Sequence, residues 1–273
     1  MADFCGLDKQ LHFVSFFAEE SNSPARKKLA IIRIPSSAGS TMSTIIDNFI
    51  APPCHDEIEI LYCDDHLVLI NKPSGLLSLS GKNPQNKDSV HHRLVQLFPG
   101  CTLVHRLDFG TSGLLLVARN KAMNAVLCQQ FSERTVNKVY SALLCGHLEQ
   151  DVGEIDAAIG RDPALFPLMS ICAIHGKPAR SHYRVVERFY RTSEDGTALP
   201  VTRVQLTPLT GRTHQLRIHC QHLGHPILGC DLYGGLLLPG TQQTPRLMLH
   251  ASALDFVHPV SGEHIHARHA SPF

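Results

Sequence analysis

The sequence is as informative for what it lacks as for what it holds. No apolar run reaches about 18 residues, so no membrane-spanning helix is expected. The N-terminus, Met1-Ala2-Asp3-Phe4, has no basic stretch leading into an apolar one, and no secretory signal is expected. Nine cysteines occur without a single Cys-x-x-Cys pair. Secreted disulfide scaffolds are small and carry even, ordered cysteines, so this pattern predicts reduced thiols in the cytoplasm. Net charge is only +1 over 273 residues, so no overall field announces a nucleic-acid partner. There is no internal repeat.

What is present is a chain of globular composition, 43% hydrophobic, long enough for one large core. Its charge is unevenly placed. Residues 101–140 carry Arg106, Arg119, Lys121, Arg134 and Lys138 against Asp108 and Glu133, and residues 201–225 carry Arg203, Arg212 and Arg217 with no acid. Solvated surface charge is the ordinary meaning of such stretches; local attraction of phosphate is the functional one.

Regular patterning begins near Glu57. Strands are predicted at Ile58 to Tyr62, His66 to Asn71, Leu114 to Ala118, Lys138 to Leu144, His182 to Val186, Arg203 to Leu206 and Met248 to Phe256. Helices are predicted around Val90, Leu94 and Leu97 after a cap at Asp88 or Ser89, from Lys121 to Phe131, and from Thr213 to His222 ahead of Gly224. Strands outnumber helices without regular alternation, which predicts an α+β fold with a mixed, mostly antiparallel sheet. Residues 1–55, with the Ser/Gly/Thr-rich stretch Ser36 to Thr44, read as a partly disordered extension.

Two segments concentrate chemistry. His105-Arg106-Leu107-Asp108-Phe109-Gly110-Thr111-Ser112-Gly113 sets a carboxylate beside an arginine in a tight loop between apolar runs, the kind of place where a rigid scaffold presents functional groups. On composition alone, a salt-bridged turn is the commoner meaning of Arg-x-Asp. Gly211-Arg212-Thr213-His214-Gln215-Leu216-Arg217-Ile218-His219, if helical, puts His214, Arg217 and Ile218 on one face, where an arginine can hold a carboxylate through two parallel hydrogen bonds. Eighteen histidines also invite a metal reading: His219, His222 and His225 recur every third residue beside Cys220, and His264-x-His266 follows. Structural zinc sites use ordered ligand pairs, and Gly224 and Pro226 bend the chain through this cluster, so no metal is expected.

These segments resemble signature motifs of the RluA family of RNA pseudouridine synthases: the loop His105 to Gly113, the stretch Gly211 to His219, Lys138-Val139-Tyr140, Leu249-His250-Ala251 with His258-Pro259, and the opening Asn71-Lys72-Pro73-Ser74-Gly75. Their order and spacing agree over residues 56–273, which marks that span as the catalytic domain. Ile60-Leu61-Tyr62, Asp64-Asp65-His66, Lys87-Asp88-Ser89-Val90 and Gly176-Lys177-Pro178-Ala179 are similar to the family's dual-specificity branch, which acts on one hairpin of 23S rRNA and the anticodon stem-loop of tRNA. Residues 1–41 have no counterpart; they are too short and lack the basic helical pattern of the S4 domain carried by larger relatives. Met42 is expected to be the true start in the cell, or the residues before it to be disordered.

The resemblance implies a pseudouridine synthase fold and roles for named residues. Asp108 is the expected nucleophile, attacking C1′ or C6, or taking the ribose 2′ proton. Arg217 is expected to pair with it and Tyr140 to lie on the uracil face, with Leu249 packed behind that ring. Arg106 is expected to fill the space left by the flipped uridine. Arg212 and His105 are further expected RNA contacts. The isomerisation gains and loses no atoms and needs no redox equivalent, so no cofactor is expected. The expected partner is RNA, with no membrane and no obligate protein partner, and a monomer is the default. A non-catalytic RNA-binding protein is the alternative; the residue types the chemistry needs stand at every motif position.

Overall fold

The computed structural model describes residues 49–161, 168–192, 196–234 and 244–273. Expectations for the first 48 residues, including a start at Met42, lie outside these.

The run Ser112-Gly-Leu-Leu-Leu-Val-Ala118 explains most of the architecture. A strand sends successive side chains to opposite faces, and a run this apolar is stable only when both faces are covered. It forms β4 (Ser112–Ala118), buried along its whole length. β1 (Glu59–Cys63) pairs with β2 (Leu67–Lys72), and β2 pairs antiparallel with β4. On one side Leu114 and Leu116 pack with Leu67, Leu69 and Leu127; on the other Leu115 and Val117 pack with Val68, Ile70, Leu94 and Leu107.

Helix α1 (Val90–Leu97) covers the second side. Ser89 caps it by accepting the His92 N–H at 3.1 Å, which selects between the two expected caps. Helix α2 (Lys121–Ser132) covers the first side, with Asn120 as its cap. Short β3 (Thr102–Leu103) lies antiparallel to β4. β5 (Asn137–Cys145), β6 (Val152–Asp156), β7 (Ile159–Arg161), β8 (Met169–Ile171), β9 (Arg180–Thr192) and β10 (Ala198–Pro208) follow, then α3 (Gln215–His222), β11 (Leu249–Val257) and β12 (His264–Arg268). The main sheet runs β1-β2-β4-β11-β5-β10-β9-β6, with β12 alongside β11 and β3 alongside β4; β7 and β8 pair separately. Only β4 and β11 are parallel among these described pairs, so the sheet is mixed and mostly antiparallel, as the pattern predicts.

Two boundaries differ from expectation. Helix α3 starts at Gln215 rather than Thr213, because His214 has left-handed backbone (φ 55°). β9 and β10 extend well beyond the predicted segments: the outer half of β9 is largely exposed, and its ladder to β10 holds it. The histidines of the metal pattern are dispersed onto protein partners. His219 sits between Ser181 Oγ (3.0 Å) and the Ala157 carbonyl (3.1 Å), and His225 Nδ1 lies 2.7 Å from the Cys145 carbonyl. No helix among the described residues is long and apolar enough to cross a membrane.

Candidate active site

Asp108 stands in the loop between β3 and β4, and the backbone on both sides of it is tied to the segment after β2. Ser78 Oγ donates to the Leu107 carbonyl at 2.6 Å and accepts the Leu107 N–H at 3.1 Å. The Gly75 N–H donates to the Phe109 carbonyl at 2.9 Å, and Ser74 Oγ donates to the Gly110 carbonyl at 2.7 Å. The Thr111 N–H closes the turn onto the Asp108 carbonyl at 3.1 Å. The loop is therefore irregular in conformation but held from both sides. The carboxylate itself has no ion pair within 4.0 Å among the described residues.

Lys72 is the unusual member of this clamp. A lysine at the end of a buried strand is costly unless its charge is met. Its side chain is completely buried, and its ammonium donates to the carbonyls of Leu76 (2.6 Å), Pro73 (2.9 Å) and Phe109 (3.2 Å). Burial pushes its pKa down to about 7, opposed by the charges of Cys54 and Asp108. Three carbonyls match the three N–H bonds of the ammonium, one more than a neutral amine offers.

The parallel contact of β4 with β11 brings the second half of the molecule to this loop. Gly113 (φ 110°) makes that approach: a Cβ there would meet the Ala251 carbonyl oxygen at 2.4 Å. Ala251 pairs with Tyr140 of β5, and Tyr140 packs among the side chains that bury Leu107. Burial raises the Tyr140 pKa and the Asp108 charge adds to it. Leu249 is buried in the core cluster against which Tyr140 also packs.

From α3, Arg217 reaches the same region, 4% exposed. It forms an ion pair with Asp231 rather than with Asp108, its Nε donates to Cys230 Sγ at 3.2 Å, and its guanidinium lies 5.3 Å above the Tyr233 ring. Burial opposes its charge; Cys230, Asp231 and Asp108 together more than offset that and raise its pKa. The expected Arg217–Asp108 pair is thus corrected: Asp108 acts on Arg217 through its field, while the closer carboxylate of Asp231 takes the hydrogen bond. His214 Nδ1 lies 2.8 Å from the Tyr233 hydroxyl, and burial lowers the His214 pKa while Asp108 and Asp231 pull it up.

The remaining expected residues divide. Arg106 is exposed beside Asp108. Arg212 donates from Nε to the Pro178 carbonyl at 3.0 Å. His105 requires a correction. Its ring stacks on Phe131 of α2 (centroids 4.7 Å apart) and its Nε2 accepts the Leu116 N–H at 3.1 Å, so it anchors the start of the loop on the α2 side. Burial, then the Lys138 charge, push its pKa down to about 3, which keeps it the neutral acceptor that this bond needs. Lys72, Asp231 and Tyr233 carry no functional expectation from sequence. A lysine inside a buried strand is a readable signal for the first; for the other two no sequence signal exists.

The chain is similar to known proteins over most of its length. Residues 66–222 match the family model described as RNA pseudouridylate synthase. The chain is 43% identical over 214 residues to the dual-specificity RNA pseudouridine synthase RluA of Vibrio parahaemolyticus, covering 77% of this chain and 82% of that protein. It is 44% identical over 212 residues to the protein of the same name from Pasteurella multocida, covering 78% and 92%. Among solved structures, Human RNA Pseudouridylate Synthase Domain Containing 1 superposes with a TM-score of 0.67 at 35% identity, covering 81% of this chain and 86% of that one.

Proposed function

The chain belongs to the RNA pseudouridine synthase family, and we propose that this enzyme modifies two RNAs, a hairpin of 23S rRNA and the anticodon stem-loop of tRNA, with Asp108 as the essential carboxylate. The reaction breaks the N1–C1′ bond of a uridine, turns the base, joins C5 to C1′ and moves the C5 proton to N1. It consumes no cofactor and no redox equivalent.

The observation that carries the assignment is the state of Asp108: its loop backbone is tied down on both sides while its carboxylate is left without an ion pair among the described residues. A nucleophile must be rigidly presented and chemically uncommitted, whereas the carboxylate of a salt-bridged turn is committed. Tyr140 lies against the detached uracil and Leu249 backs that ring. Arg217, held by Asp231, stabilises negative charge at Asp108 without blocking it. Arg106, exposed beside the nucleophile, fills the stack that the flipped uridine leaves, a step that costs a few kcal/mol and least in a loop. Arg212 contacts the RNA backbone. His105 positions the loop.

The catalytic domain is assigned to residues 56–273. The enzyme works as a monomer in the cytoplasm without an obligate protein partner. Dual specificity is supported by the name that these relatives carry and by the resemblance of motifs to that branch. The test is pseudouridine mapping of rRNA and tRNA from cells with and without the gene. Loss of one 23S rRNA site together with one anticodon stem-loop site is expected; loss of one alone restricts the enzyme to a single RNA, and no loss overturns the assignment.

A further inference from the structure

A groove of about 490 Å³ opens on the other side of the sheet, rimmed by Arg191, Arg203 and Arg246 together with Phe189 and Phe273. Its floor includes Leu143 and Met248, and no acidic side chain lines it. Along β5, Leu143 alternates with Tyr140 in an unbroken register against β10, so the groove and the Tyr140 ring lie on opposite faces. The uridine under modification therefore does not occupy it.

Arg246 is the notable residue. Arg203 has a carboxylate partner, Glu187, at 2.6 Å, and lies 5.8 Å from the Phe189 ring centroid. Arg246 has no ion pair among the described residues. Its guanidinium sits 5.5 Å above the Phe273 ring, its Nε donates to the Leu247 carbonyl at 3.3 Å, and its Nη2 donates to Ser112 Oγ. Two of its five N–H bonds are thereby used.

What fixes Arg246 is a chain of polar groups that runs from buried Ser112 and His250 out to half-buried His269 and exposed Glu59. Ser112 Oγ lies 2.8 Å from His250 Nδ1, His250 Nε2 lies 3.1 Å from His269 Nδ1, and His269 Nε2 lies 3.4 Å from Glu59 Oε2, which also accepts from Asn71 Nδ2 at 3.0 Å. Arginine only donates, so Ser112 Oγ accepts from it. With His250 neutral, Ser112 donates to its Nδ1 and its Nε2–H donates to His269 Nδ1, while the Glu59 carboxylate stands beyond His269 at 3.4 Å. Burial, with His269 and Arg246 adding to it, pushes the His250 pKa down to about 3 and keeps that ring neutral. The only carboxylate in this chain thus stands several groups away from the guanidinium. A half-buried cation without an ion pair among the described residues, reached by the Asp56 carboxylate only through its field and standing beside a second arginine near an aromatic ring, fits a phosphodiester strand.

We propose that this groove binds the RNA backbone of a strand flanking the target loop, with Arg246 contacting a phosphate and Ser112, His250, His269 and Glu59 acting as its positioning residues. The inference rests on the RNA-modifying function and adds a second contact surface to it. Ser112 also lies at the downstream end of the Asp108 loop, so a phosphate on Arg246 fixes the RNA relative to the nucleophile.

The test measures affinity of the full chain for a hairpin RNA with single-stranded flanks, across a salt series. Arg246→Ala is expected to weaken binding and to lower the slope of log affinity against log salt by about 0.7 to 0.9, the signature of one lost phosphate contact. Arg246→Lys is expected to keep the slope with reduced affinity, and trimming the flanks is expected to abolish the difference between parent and Arg246→Ala. Ser112→Ala, which leaves the charge in place and frees its orientation, is expected to raise KM more than it lowers kcat. If Arg246→Ala does not fold, Arg246→Lys and Ser112→Ala carry the test. An unchanged slope in folded Arg246→Ala, or an equal loss with trimmed RNA, overturns the proposal. Failure of the parent to bind or modify RNA would instead overturn the functional assignment.

Discussion

All seven residues of β4 are buried, whereas of the thirteen in β9 only Ser181 and Tyr183 are. The first region is held by apolar burial on two faces, at roughly 25 cal/mol for each Å² removed from water, and by hydrogen bonds inside the protein. The second is held by its ladder to β10 and by exposed ion pairs such as Arg188–Asp151 at 2.7 Å and Arg203–Glu187 at 2.6 Å, each contributing at most about 1 kcal/mol. The reactive carboxylate lies in the first region. A loop that must present an uncommitted charge needs support from its backbone, and the β2–β4 side supplies it through Ser74, Gly75, Ser78 and Lys72.

That contrast can be broken at several points. The largest effect is expected for Gly113→Ala, whose Cβ would lie 2.4 Å from the Ala251 carbonyl oxygen at a φ of 110°. Separating β4 from β11 should cost about 3 to 5 kcal/mol in denaturant unfolding. Lys72→Met comes next. It leaves buried carbonyls of Pro73, Leu76 and Phe109 without their donor, a loss of about 2 to 4 kcal/mol, with lowered activity in the folded fraction.

The same variant has a pH signature. The pKa of Lys72 is about 7 in the fold against the 10.5 of an ordinary lysine, so the unfolded chain binds more protons between those values. The parent should gain stability relative to Lys72→Met as pH rises from about 7 to about 10.5 and lose that gain as pH falls back through 7. Parallel curves for the two proteins would mean that the three carbonyls hold Lys72 charged throughout. Smaller still is His105→Phe, which keeps the stack on Phe131 but leaves the Leu116 N–H unpaired; about 1 to 2 kcal/mol is expected. At the other extreme, Asp151→Asn in the hairpin region should shift stability by no more than about 0.5 kcal/mol.

The same contrast governs what could be read in advance. Burial writes apolar periods and runs into sequence, so β2, β4, α1 and α2 were legible, α1 with its cap narrowed to Asp88 or Ser89. The outer half of β9 was not, because Glu187, Arg188, Tyr190, Arg191 and Thr192 show no clean apolar alternation. Asp108, Tyr140 and Leu249 were legible as members of motifs that the fold brings together. The partner of Arg217 was not: Asp231 lies fourteen residues beyond it in a segment without periodic pattern, and only the folded chain places that carboxylate on the guanidinium. His105 was expected as an RNA contact from the resemblance, yet its ring stacks on Phe131 of α2 and its Nε2 accepts the Leu116 N–H.

The central claim, that Asp108 is an uncommitted carboxylate on a braced loop, is tested most directly by Asp108→Asn. Purified parent and variant would be compared for pseudouridine formation in an anticodon stem-loop RNA and for binding of the same RNA. The account predicts no detectable product from the variant, with affinity and melting temperature close to those of the parent. Product formation by the variant would contradict it.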